Sequence, residues 1–150
     1  MANYFSDGIQ PVPFTADVDL TSWQYRLVEA ASTQGNVGKW NHLGIGSASP
    51  FPVGVLMNDP SAGQEAQVKC LGFVKVIGVV STCNLLEGAF LKGSSLGNVE
   101  PACNINGTDL DAVVGRWYGP RNTTAGASVM GNMMFFPLFP VSPIVMPKGL

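Results

Sequence analysis

The chain has 150 residues, 46% of them hydrophobic and only 12% charged, about half the usual charged share, with a net charge of -2 and a pI near 5.1. That length suits one domain burying roughly 70% of its unfolded surface, and so few charges leave neutral or apolar surface of the kind that marks contacts with other chains. No run of Lys or Arg supplies the clustered positive charge that phosphate neutralisation needs, so nucleic-acid binding is not expected.

The opening MANYFSDGIQPVPF has no basic region followed by an apolar one, and is not expected to act as a signal peptide. Residues 1–20 read as an extended arm, because Pro11 and Pro13 push their neighbours into extended conformations and Phe5, Ile9, Val12 and Phe14 recur without period. A disordered leader is the plain alternative. Tyr4, Phe5, Phe14 and Trp23 favour an arm that docks, since disordered segments are poor in aromatics. Residues 21–150 are then the β domain.

Residues 24–30 (QYRLVEA) form the first expected strand, with Tyr25 and Leu27 opposed to Arg26 and Val28, and residues 37–43 the second. In the next run Val53, Val55 and Met57 share one side, with the period of two that a strand requires. Asn58-Asp59-Pro60-Ser61-Ala62-Gly63 breaks it with residues suited to tight turns. A long strand follows, with Ala66, Val68, Cys70, Val74 and Val76 on one face and Gln67, Lys69, Phe73 and Lys75 on the other. Gly72 marks a bulge or a close backbone approach in its middle.

Further strands are expected over 85–92, 97–103, 112–118 and 128–136, with a hairpin signal at Asn106-Gly107. Residues 122–147 carry no charge, but Pro137, Pro140, Pro143 and Pro147 interrupt the run, so a membrane span is not expected. Residues from about 133 to 150 read instead as a Pro-rich strap that wraps either its own core or a neighbouring subunit. Val53-Gly54 followed by Ala62-Gly63 is echoed by Val114-Gly115 followed by Ala125-Gly126. In a glycine-rich chain, chance accounts for so short an echo better than repetition does.

Chemistry is hard to find in this chain. His42 is the single histidine, which excludes any site built on two imidazoles. Cys70, Cys83 and Cys103 show no metal-ligand or CxxC spacing and are expected as reduced, mostly buried thiols. Asp17/Asp19 and Asp109/Asp111 sit in loop-like stretches where turn formation explains them better than paired acid–base work. No phosphate-binding, dinucleotide or zinc-protease pattern occurs. An enzyme is not expected, nor any cofactor or metal.

The segments VGVLMNDPSAGQEAQVKCLGFVKV (53–76) and DLDAVVGRWYGPRNTTAGASVMGN (109–132), with YRLVEA at 25–30, resemble the small capsid decoration (cement) proteins of tailed bacteriophages. The resemblance covers roughly residues 25–132 and implies an all-β fold, a single compact β-barrel or β-tulip domain. It further implies a homotrimer bound to the major capsid protein at three-fold and quasi-three-fold positions on the outer surface of the virion head, assembled in the host cytoplasm. Such a trimer gains avidity from linked contacts and stabilises the shell by mass action. Binding energy would then concentrate in aromatic anchors, for which Tyr4, Phe5 and Phe14 in the arm and Phe135, Phe136 and Phe139 in the strap are the candidates. Two rivals remain: a virion carbohydrate- or receptor-binding β-domain using Trp23, Trp40 or Trp117 as a stacking platform, and a small cysteine hydrolase.

Overall fold

A computed structural model of the chain describes residues 7–42, 51–103 and 113–136. Ten strands form within them: β1 (Val12–Ala16), β2 (Leu27–Ala30), β3 (Asn36–Lys39), β4 (Pro52–Leu56), β5 (Glu65–Lys69), β6 (Gly72–Val79), β7 (Phe90–Gly93), β8 (Val99–Pro101), β9 (Val113–Tyr118) and β10 (Ser128–Phe135). The one helical element described is the short 3-10 turn Ser95–Gly97. The fold is all-β and barrel-like, as expected, but there are two closed five-stranded barrels where one was expected.

The second barrel repeats the first. Around the rings the orders are β1-β3-β2-β4-β5 and β6-β8-β7-β9-β10. In each, the first and third strands are parallel and every other neighbouring pair is antiparallel. Individual pairings also recur 63 residues on: Thr15↔Asn36 becomes Gly78↔Val99, and Val55↔Lys69 becomes Tyr118↔Asn132. The register shift at Val28/Glu29 returns at Leu91/Lys92. The Ala-Gly turns match too, with Gly63 and Gly126 both at positive φ and donating to Ala16 O and Val80 O. The echo in the sequence is therefore a structural repeat, and chance is the wrong explanation of it.

The two barrels share a wall. Leu27 and Val55, paired across β2 and β4, point into the second core with Trp40, Val76, Leu91, Trp117 and Phe135, while their neighbours Val28 and Leu56 point into the first. A strand buried on both faces loses its alternation, and the doublets Leu27-Val28 and Val55-Leu56 are the result. Trp117 fits inside the second ring because its neighbours lack side chains. A Cβ on Gly131 would lie 2.3 Å from the indole, and one on Gly78 within 2.9 Å of it.

Several expectations change. The segment 1–20 is not simply an arm, since residues 12–16 form β1 in the first barrel. Ala16 donates to Gln64 O, and only alternate residues face an antiparallel partner, so Pro13 turns its donor-less nitrogen away from β5. The expected strand through 66–80 is two strands in different barrels, and the chain crosses at Gly72, whose φ of 91° is left-handed. Residues 85–92 pair as a strand only from Phe90, with Leu85 making a lone bridge to Asn122. The strap loses its first residues, because 133–135 belong to β10. Cys83 and Cys103 are joined in a disulfide, which leaves Cys70 as the free thiol. Three cysteines cannot all pair within one chain, but an odd number does not forbid one bridge with a thiol left over.

Gly131→Val should destabilise the chain by roughly 1–3 kcal/mol by overpacking against Trp117, measured by denaturant unfolding. Trp117→Leu in the same chain should recover part of that loss. The disulfide closes a loop with a sequence separation of 20, so Cys83→Ser with Cys103→Ser should cost about 3 kcal/mol. Reductant should then lower the Tm of the parent chain and leave that of the double variant unchanged.

Candidate interaction surface

The histidine and two of the three cysteines are already engaged. His42 Nε2 lies 2.8 Å from Glu29 Oε2, and its ring packs edge-on against buried Trp40 at 5.3 Å. Cys83 and Cys103 are oxidised, and burial pushes the Cys70 thiol up, away from the reactive thiolate. Among the described residues no cluster of His, Cys, Asp or Glu could hold a metal ion, and no helix is long and apolar enough to cross a membrane.

Rigidity comes from the seam between the barrels. The segment before β2 runs along it: Tyr25 N donates to Leu56 O of β4, while Tyr25 O accepts from Ile77 N of β6. This exchange holds Tyr25 at a φ of 64°, a conformation uncommon for a bulky residue. Arg26 Nη1 donates to Leu96 O and Asn98 Oδ1, and the guanidinium lies 5.3 Å from the centre of the Trp23 ring. At the crossover, Asp7 accepts from Lys69 Nζ (2.7 Å), Ile9 N (3.0 Å) and Phe73 N (2.6 Å). Those bonds hold its carboxyl at about 2, with the Lys69 hydrogen bond the largest cause. One carboxylate thus ties the start of the described chain to both barrels, in space that a Cβ at Gly72 would fill.

The six anchor candidates separate. Tyr4, Phe5 and Phe139 lie outside the described residues. Phe14 is partly buried on β1 and packs against the first core. Phe135 is fully buried in the second core, where the inward parity of β10 places it with Met133, so it is withdrawn as a surface anchor. Phe136 is partly buried and donates its N–H to Val114 O. The Trp platform is overturned as well: Trp40 and Trp117 are fully buried, and Trp23 is 6% exposed with its Nε1 donating to Leu27 O.

A different aromatic surface emerges on the outside of the second barrel. The outward pairs of β6 and β10 are Phe73↔Met134, Lys75↔Asn132, Ile77↔Met130 and Val79↔Ser128. Phe73 meets Tyr118 of β9 edge to face at 5.6 Å, and Arg116 stacks at 4.9 Å over Phe90 of β7. Met130 and Phe90 are 43% and 41% exposed. Sequence reading placed Phe73 and Lys75 on the mixed face of their strand but could not join them to Phe90 or Met134. Alternation along 128–135 was the available signal, since it sets Met130 and Met134 opposite Met133 and Phe135.

No protein-family model matches the chain, and no curated protein matches it. Among solved structures, its fold is similar to that of the N base of the head fiber protein gp8.5 of bacteriophage phi29, with a TM-score of 0.51 at 15% identity. The similarity covers 85% of this chain and 93% of that one, so both barrels fall within the shared architecture.

The Asp7 carboxyl sits below its ordinary 3.8, so its ionised form stabilises the fold. That contribution is complete above pH 4 and is lost as pH falls towards 2. Asp7→Asn should accordingly unfold at lower urea than the parent at pH 5, and the gap between the two midpoints should close by pH 2.

Proposed function

We propose that this chain is a structural protein of a tailed-bacteriophage head, a decoration protein that binds the outer surface of the shell and stabilises it. The observation that carries the reading is the fold shared with a phage head fiber base over nearly the whole of both chains. The resemblance of residues 25–132 to capsid decoration proteins leads to the same place by a separate route. A non-enzymatic role agrees with a histidine and two of three cysteines occupied in structural contacts.

In this reading the partner is the major capsid protein and the working unit is a homotrimer at three-fold and quasi-three-fold positions. The mechanism is mechanical. A rigid double barrel bridging several capsid subunits adds its binding free energy to the expanded shell and raises the cost of opening it. Linked contacts make weak individual interfaces sufficient.

The test is co-sedimentation of the purified chain with heads of the phage that encodes it, produced without the protein. Saturable binding at a whole-number ratio to three-fold positions is expected, with a rise in the temperature at which the heads release DNA. Heads that neither bind the chain nor gain stability from it would overturn the reading.

A further inference from the structure

The repeat supplies an internal control for the surface of the second barrel. On the matching strands of the first barrel, β1 and β5, the outward pairs are Pro13↔Gln67 and Thr15↔Glu65. On β6 and β10 they are Phe73↔Met134, Lys75↔Asn132, Ile77↔Met130 and Val79↔Ser128. At this seam the first ring closes with Thr15, Glu65 and Gln67 outside, so closure there does not require the apolar pairs of the second copy, although Ile9, Val12, Val18 and Leu71 around the first ring are also exposed. Aromatic residues, Met and Arg are the types enriched in the buried centres of protein interfaces.

Charge indicates what would cover this face. Its charged members are Lys75 and Arg116, with the Lys92–Glu100 ion pair further along β7 from Phe90. Residues 1–69 carry six carboxylates against three Lys and Arg, whereas residues 70–150 carry four against five. On the first barrel Glu65 stands exposed on β5, with Asp17 and Asp59 exposed in its loops. We propose that the outer face of the second barrel, centred on Met130, Met134 and Phe90, is covered by the first barrel of another copy of this chain. Such a contact joins two different surfaces, so it is heterologous and repeats around a ring until the ring closes. This deepens the proposed homotrimer by naming its contact, and it rests on that reading for closure at three.

The experiment is the mass of the purified full chain by light scattering and sedimentation velocity across concentration, with no heads present. The parent should assemble. Met134→Glu and, separately, the more exposed Met130→Glu should raise the dissociation constant at least about a hundredfold, because each sets a carboxylate in the contact against the acidic first barrel. Glu65→Lys in the first barrel should raise it about tenfold, with a larger effect at low salt. Thermal melts of each variant matching a dissociated parent would show that the barrels themselves are intact. A monomeric parent overturns the proposal, as does assembly that withstands both methionine variants. Loss of assembly in those variants with none in Glu65→Lys overturns the first barrel as the covering surface. Head co-sedimentation is read separately: a parent that binds heads while assembling through another face loses this contact and keeps the function. A parent that assembles as described but binds no heads keeps the contact and loses the function.

Discussion

The β2–β4 wall is the constraint on which the rest of the architecture depends. Its two strands are hydrophobic on both faces, with Leu27 and Val55 in one core and Val28 and Leu56 in the other. Apolar surface of that kind is stable only when both sides are covered, so the first barrel cannot bury its own wall without the second. Trp40, which follows β3 of the first barrel and lies fully buried in the second core, extends the same dependence. The two rings are therefore a single folding problem in spite of their separate hydrogen-bond ladders.

Polar contacts then fix how the rings meet. Arg26 reaches from the first barrel to the carbonyl of Leu96 and the side chain of Asn98, and Asp7 gathers Lys69 and the Phe73 amide around the crossover. These bonds contribute less to cohesion than the shared core does, but they are directional. A hydrophobic wall permits sliding, whereas a carboxylate with three donors does not. A rigid double barrel is what a protein needs if its work is to bridge other subunits without deforming.

Repetition of the ring also separates what the fold demands from what one copy adds. Pairings 63 residues apart are conserved in geometry while the side chains upon them differ, because a ladder is made by backbone groups that every residue carries. Side chains are then free to diverge wherever packing allows. Trp117 illustrates the exchange: a large ring in the second core is accommodated by glycines at 78 and 131 on adjacent strands. The Phe73–Met134 and Ile77–Met130 pairs show divergence on the outside, where no core constrains it.

Alternation, turn residues and low charge were enough to establish from sequence alone that this chain is all-β, and they located most strands within a few residues, because these signals act between near neighbours. The Asn58–Gly63 turn and the β9 and β10 strands were legible in this way. The number of barrels, β1, the Cys83–Cys103 bridge and the fate of Phe135 were decided only by tertiary structure. Each depends on which distant segments meet: Pro13 can enter a ladder only because of the register opposite β5, and Phe135 is core only because β10 turns that side inward. The second-barrel surface belongs to the same class, since Phe90, Arg116, Met134 and Phe73 come from four strands. Local patterns specify elements, and the closure of rings, a long-range event, specifies which side chains become neighbours.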